Sequence, residues 1–329
     1  MNRKPTMNDV ARVAGVGRGT VSNYINGRKI KEENRQKVDR AIKELGYIPN
    51  LQARELKTST NSEIVFIVPT NWTSFFSEMI FYMQEELSRH HYKMILENSH
   101  SSPQEEKEIL RMAALNQVAG VITMSYSDFY NFTDFSENLN LVSIERQVSP
   151  EVPLISSDNK GGGILAAKQL LKMHRKHLLL LSRETHHHTG TDLRAEAFSQ
   201  YLANKGIKFK RFRASLEPSY RQEIYDYLKK EGESLDGIFA VTDEYGMIAK
   251  RALAQIDPKL LQQIEIIGFD GARNSQSSPL FLDTIQQPIK KLVKEAVHIL
   301  LKKIDGETVE NNYRKILPVT FVKAERDLF

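Results

Sequence analysis

Cysteine is absent from the 329 residues, which at once removes disulfide frameworks, thiolate nucleophiles and Cys-ligated zinc or iron–sulfur centres. No apolar run approaches the ~20 residues that a membrane-spanning helix needs. The opening Met1-Asn2-Arg3-Lys4-Pro5-Thr6 leads into a charged stretch containing Ala and Gly. It has no apolar core of ~7–15 residues, so a secretory leader is not expected and a cytoplasmic location is. Low-complexity tracts and short internal repeats are also missing. What remains is an ordinary globular composition, 40% hydrophobic and 26% charged, in a chain long enough for two or three domains.

Charge is unevenly spread. Residues 1–60 hold 13 Lys and Arg against 6 Asp and Glu, a balance of +7, whereas the other 269 residues hold 33 against 35. A small basic module on a near-neutral body points to a polyanion as the partner of the module and a small or uncharged partner for the body.

Hydrophobic spacing changes near residue 60. Before it, three short helices are predicted. Thr6-Met7-Asn8-Asp9 reads as a capping box with Asp in the Glu position; Val10, Val13 and Ala14 then share one face, and Gly15 closes the helix. A second helix runs from about Arg18 to Asn26, with Gly27 ending it. A third spans about Glu32 to Leu45, with Val38, Ala41, Ile42 and Leu45 at the spacing of a buried stripe. Residues 50–60 are polar and read as a linker. After it, Ile64–Val68 is a continuous apolar run of the kind buried on both faces of a parallel sheet. Strand-like runs recur at 93–96, 120–123, 141–144, 178–181, 237–241 and 264–269. Helical stretches at 105–116, 162–173, 192–205 and 244–256 alternate with them. The alternation predicts doubly wound parallel sheets, more naturally two lobes than one, with ligands at the carboxyl ends of the strands.

Within the basic module, helix, Gly15-Val16-Gly17 and helix form the pattern of a helix-turn-helix. The second helix would lie in the major groove. Arg18 is best placed to donate two bonds to guanine O6 and N7. Thr20, Ser22 and Asn23 offer short donors to phosphates or bases. By periodicity alone, a small three-helix bundle with a polar face remains an equal reading.

Longer motifs narrow the choice. Asp9-Val10-Ala11, Ala14-Gly15-Val16, Thr20-Val21-Ser22 and Asn26-Gly27 together resemble the headpiece of the lactose-repressor (LacI/GalR) family of transcription regulators. So does Ala41–Asn50, read Ala-Ile-Lys-Glu-Leu-Gly-Tyr-Ile-Pro-Asn, followed by Ala53-Arg54 and Leu56. Pro69 with Phe75-Phe76, Ser157-Asp158-Asn159 with Gly162, Thr242-Asp243, Gly268-Phe269-Asp270 and Thr284–Pro288 resemble later signatures of the same family, so the resemblance spans nearly the whole chain.

That resemblance implies a small all-α helix-turn-helix headpiece (1–49), a hinge helix and linker (50–61), and a two-lobed, periplasmic-binding-protein-like α/β core (62–329). It implies a repressor that binds double-stranded operator DNA as a homodimer and answers to a small effector, in the first instance a sugar, between the lobes. It carries DNA contact onto Thr6 and Asn26 beside the four residues above. In the hinge it carries contact onto Asn50, Ala53 and Leu56, with Leu56 wedged into the minor groove. Gly17 and Asn23 depart from the family's Ser and Arg, and Gly19 sits inside the recognition helix at a cost of about 1 kcal/mol relative to Ala. These departures put the base-reading burden on Arg18. Met173-His174-Arg175 replaces the usual Gly-His-Arg at a helix end.

A sugar site needs planar bidentate groups for vicinal hydroxyls and an aromatic face for the C–H patches. Arg194, which matches the family's effector arginine, and Asp270, after the 264–269 strand, are both expected at strand-to-helix transitions and are the expected grip. Gln287 and Thr242, the latter where the family usually has Asn, are expected to join them. Phe75 and Phe76, with Trp72, supply the stacking face. Where relatives often carry an aromatic, after the strand near 209–213, this chain has Ala214-Ser215-Leu216, which implies a rearranged or larger pocket. No cofactor is expected. His186-His187-His188 lack the helical spacing of a metal pair, and a loop at the cleft mouth is the preferred reading. Gly161-Gly162-Gly163 lacks the Lys-Ser/Thr of a phosphate loop.

Three rival readings compete with this one. A free sugar-binding protein of a transport system would need an export signal and no basic headpiece. A sugar hydrolase or kinase would need an acid/base pair or a phosphate loop, so the chain is not expected to be an enzyme. A corepressor-dependent regulator of the same family remains the alternative. After Thr320–Val322 only seven residues follow, too few for an added heptad helix, and a dimer rather than a tetramer is expected.

Overall fold

The computed structural model describes residues 5–25, 28–47, 62–124, 139–185 and 189–325. The chain divides into two compact units, Met1–Asn61 and Ser62–Phe329. The expected hinge, with Asn50, Ala53 and Leu56, lies outside the described residues, as do Asn26 and His186–His188.

In the first unit, α1 (Met7–Ala14) opens on a reciprocal cap: Asp9 N–H donates to Thr6 Oγ1, and Thr6 N–H donates to the Asp9 carboxylate at 2.9 Å. Two of the four orphan donors of a helix start are satisfied this way. Gly15 ends α1 at φ +62, a conformation that costs glycine least. Helices α2 (Arg18–Ile25) and α3 (Glu32–Leu45) follow. Val10, Ala14, Val21, Val38, Ala41 and Tyr47 form the buried centre. Val13 is a correction: it is 40% exposed, and Ala11 takes its place in the core. The helix has only two turns, and its buried face runs Val10, Ala11, Ala14, which turns Val13 to its edge.

The second unit holds two six-stranded sheets built to one plan. In the first lobe β1 (Glu63–Val68), α4 (Ser74–Arg89), β2 (Lys93–Asn98), α5 (Pro103–Leu115), β3 (Gly120–Thr123), β4 (Leu141–Ile144) and β5 (Leu154–Ser157) give the order β2-β1-β3-β4-β5. The chain then crosses to the second lobe through α6 (Asn159–Lys172). There β6 (Leu178–Arg183), α7 (Gly190–Asn204), β7 (Phe209–Ala214), α8 (Tyr220–Glu231) and β8 (Gly237–Ala240) are followed by α9 (Asp243–Ile256) and α10 (Pro258–Gln263). With β9 (Glu265–Asp270) and β10 (Asp283–Gln286) the strand order is β7-β6-β8-β9-β10. A second crossing at Gln287-Pro288 returns the chain to the first lobe. There α11 (Ile289–Ile304) packs Leu292, Val293, Ala296 and Leu300 against Ile64, Phe66 and Met83. β11 (Arg314–Leu317) extends the first sheet beside β5, and a third crossing carries β12 (Thr320–Val322) antiparallel onto β10.

Every residue from Ile64 to Val68 is buried, as a strand covered by helices on both faces requires. The strand order reverses between β1 and β3 in one lobe and between β6 and β8 in the other. At such switch points loops splay apart and leave a crevice at the carboxyl ends of the strands. Among the described residues, no helix is long and apolar enough to cross a membrane.

Candidate functional site

On the headpiece, α2 buries Val21 fully and packs Tyr24 and Ile25 against the core. Arg18, in its first turn, is exposed; Thr20, Ser22 and Asn23 are half-buried. The helix is tied to the bundle by the Tyr24 hydroxyl, which donates to Asp39 and is thereby pushed above its ordinary pKa. Thr6 is committed to the cap of α1, donating its hydroxyl to Asp9 at 2.6 Å.

Between the lobes of the core lies a cavity of about 920 Å³, lined by Phe75, Phe76, Arg194, Thr242, Asp270 and Gln287 among others. The structure therefore brings all six expected cleft residues to one wall-and-floor arrangement. Phe76 is buried, 6% exposed, and Phe75 leans on it edge-on with ring centroids 5.2 Å apart. Trp72 stands at the mouth, 91% exposed. The loop after β7 contributes Leu216 to the lining.

Arg194 is the centre of the polar floor. Its Nε–H donates to Asn159 Oδ1 at 2.7 Å, and one terminal nitrogen donates to the Val241 carbonyl at 2.9 Å and to Asp270 at 3.3 Å. The guanidinium carbon lies 3.6 Å from the centroid of the Phe269 ring, so one face of the cation is stacked while the edge is bonded. Asp270 also accepts from Gln287 Nε2 at 2.8 Å. Its backbone holds φ +133, a region that side chains rarely adopt, and strain of this kind gathers at ligand sites. Burial pushes the Asp270 carboxyl up, to about 6, while Arg194 and Gln287 pull it down.

Thr242 and Asp243 divide differently from the sequence reading. Thr242 lines the cavity but spends its hydroxyl as the N-cap of α9, accepting from Tyr245 N–H. Asp243 accepts from the Ala272 N–H and the Thr284 hydroxyl, both at 2.7 Å. Burial and then the neighbouring Asp270 charge push its carboxyl up, to about 7.

Sequence reading missed Asn159 and Glu145 as parts of the site. Asn159 was legible only as a crossing motif. Glu145 follows β4 directly, and a carboxylate at the carboxyl end of a parallel strand was the available signal. The glycine triplet also has a structural role. A Cβ on Gly163 would lie 2.2 Å from the Arg194 carbonyl oxygen, and one on Gly162 would lie 2.5 Å from Phe269. These glycines let α6 approach the helix and strand that carry the site. Among the described residues, no group of three or more His, Cys, Asp or Glu could hold a metal ion.

Residues 6–50 match the family described as bacterial regulatory proteins, lacI family. Residues 61–325 match periplasmic binding proteins and sugar binding domain of LacI family. The sucrose operon repressor of Streptococcus mutans is 34% identical over 322 residues, covering 97% of this chain and 98% of its own. A periplasmic binding protein/LacI transcriptional regulator from Alkaliphilus metalliredigens, solved with D-xylulofuranose, is 25% identical. It covers 80% of this chain and 98% of its own, with a TM-score of 0.68. The Lac repressor dimer bound to operator and the anti-inducer ONPF is similar in fold: TM-score 0.81 at 22% identity, over 98% of both chains.

Proposed function

The chain belongs to the LacI family of bacterial regulatory proteins, and from that premise we propose a cytoplasmic, homodimeric repressor whose hold on operator DNA is set by a sugar in the core cleft. One observation carries the sugar reading. A buried guanidinium and a buried carboxylate, Arg194 and Asp270, meet at 3.3 Å on the floor of a cavity that also contains the Phe75 and Phe76 rings. Vicinal hydroxyls are donors and acceptors at once, and this pair offers one of each. The rings take the C–H face of the sugar. A sugar would exchange its hydroxyls for the Arg194–Asp270 contact, so each buried group keeps a partner before and after binding.

In the headpiece, Arg18 is the base reader, and Thr20, Ser22 and Asn23 hold the backbone or neighbouring bases. Two headpieces in a dimer would read the half-sites of a palindrome. The protein senses its sugar and leaves it chemically unchanged.

The test is a thermal-shift screen of the full chain against sucrose, D-ribose and D-xylulose, with sugar recovery measured afterwards. A true effector at 100 times its Kd stabilises by about 2.7 kcal/mol, and Arg194→Lys removes the shift. A flat response to every sugar, or an unaltered shift in Arg194→Lys, contradicts the assignment. Light scattering on the same sample reads the dimer.

A further inference from the structure

The contacts around Arg194 close into a ring. Glu145 accepts from the Ser157 N–H at 2.7 Å with one oxygen and from Asn159 Nδ2 at 2.9 Å with the other. Asn159 Oδ1 accepts the Arg194 Nε–H, and Arg194 in turn meets Asp270. Asp270 accepts from Gln287, whose Oε1 accepts the Ser157 hydroxyl at 2.7 Å. The ring thus joins the first lobe (Glu145), the first crossing (Ser157, Asn159), the second lobe (Arg194, Asp270) and the second crossing (Gln287).

Chemistry fixes the sense of this ring. An ionised carboxylate only accepts and a guanidinium only donates. An amide placed between them has one satisfactory orientation, with its NH2 toward Glu145 and its carbonyl toward Arg194. Reversing or removing either neighbour leaves a donor facing a donor or an acceptor facing an acceptor in a partly buried site. Glu145 also holds a left-handed backbone, φ +65, that a non-glycine side chain adopts at a cost. Its own N–H is kept on the Ile155 carbonyl at 2.9 Å. The strain is located at the residue that aims a carboxylate back across the crossing strand.

We propose that Glu145 is a positioning residue of the cleft: acting through Asn159, it fixes the plane in which Arg194 meets the effector. The proposal rests on Arg194 being an effector ligand. Because Glu145 belongs to the opposite lobe, Arg194 is held this way only while the lobes and the first crossing keep their register. Effector affinity and lobe arrangement are thereby coupled through one amide, and a ligand that favours one arrangement draws the other with it.

The test exchanges the polarity of the Glu145–Asn159 pair. Glu145→Gln alone sets an amide NH2 against a donor, and Asn159→Asp alone sets two carboxylates face to face. Asn159 Nδ2 also donates to the Ser157 carbonyl at 3.2 Å, a bond that Asn159→Asp loses in either background. The double variant Glu145→Gln/Asn159→Asp restores complementarity between positions 145 and 159 and toward Arg194. Its new amide at position 145 donates to the new carboxylate at position 159, which still accepts from Arg194. Two readouts are taken on the full chain. One is exchange protection of the Arg194 Nε–H by nitrogen-15 NMR of arginine-labelled protein, assigned with Arg194→Lys. The other is sucrose affinity by calorimetry, with D-ribose and D-xylulose in parallel. Each single variant is expected to lose the protection and to weaken sugar binding by about tenfold or more. The double variant is expected to recover protection and most of the affinity. A Glu145→Gln protein with wild-type protection and affinity overturns the proposal, and so does a double variant no better than its worse parent. If no sugar binds the wild type while the exchange restores the protected Nε–H, the positioning of Arg194 stands and the sugar reading falls.

Discussion

Arg18 in the headpiece and Arg194 in the core carry the same guanidinium into opposite surroundings. Arg18 is exposed in the first turn of α2, beside residues that are themselves only half-buried. The Arg194 side chain is 6% exposed, bonded at its edge to three partners and stacked on a ring. The difference teaches what each site asks of its ligand. A DNA face presents donors at the surface and orders them when the partner arrives, so it adds little to the stability of the free protein. A cleft floor is ordered before the ligand arrives, so its polar groups must satisfy one another in the meantime. Damage to the first kind of site should be silent until DNA is added, whereas damage to the second should be visible in the empty protein.

The largest expected effect follows from that contrast. Arg194→Ala removes the basic partner that meets Asp270 and leaves two buried carboxyls close together. Breaking a buried pair from one side costs about 3–5 kcal/mol. Urea unfolding should show a loss of this order in the core transition, and a loss below about 1 kcal/mol would mean that the floor is not held together as described.

Acidity sharpens the same point. The Asp243 carboxyl is held at about 7 by burial and by Asp270, above an unfolded value of about 3.9. A carboxyl raised in the folded state favours folding below its unfolded value, and that contribution is lost as pH climbs through the folded one. The melting temperature of Asp243→Asn, taken relative to wild type, should therefore rise between about pH 4 and pH 7. A difference that stays flat or falls across this window breaks the account of Asp243.

Arg18→Ala gives the smaller, conditional effect. It should leave thermal unfolding of the free protein unchanged and weaken binding to an operator selected from random duplexes by about 1–3 kcal/mol. Binding to random DNA should hardly change. Equal weakening on both DNAs would make Arg18 a phosphate contact.

Legibility in the sequence followed burial. Gly120–Thr123 and Leu141–Ile144 are wholly buried and were legible to the residue, because a strand covered on both faces must be apolar throughout. Leu154–Ser157 escaped, since its last two residues are serines serving the crossing rather than the core. Arg314–Leu317 escaped because an edge strand carries charge. Helix Ile289–Ile304 has a full buried stripe, but lysines interleave with it and blur the apolar spacing. In the cleft, Arg194 was legible through the family resemblance and Asp270 as a carboxylate ending a strand; the helix expected after Asp270 is absent, since β9 is followed by a loop to β10. Asn159 and Glu145 were not legible, because their importance lies in whom they touch, at sequence separations of 35 and 14. Val13 shows the converse error, an apolar residue that a two-turn helix leaves at the edge of its buried face.

If the cleft senses the sugar and the headpiece reads DNA, one measurement separates the two roles most directly. Operator affinity is measured for wild type and Asp270→Ala, each with and without sucrose, on a duplex selected by the wild-type protein. Wild type is predicted to change affinity when sucrose is added. Asp270→Ala is predicted to bind the operator within about twofold of wild type, a difference under ~0.5 kcal/mol, and to ignore sucrose. An Asp270→Ala protein that still responds at the wild-type sucrose concentration contradicts the account.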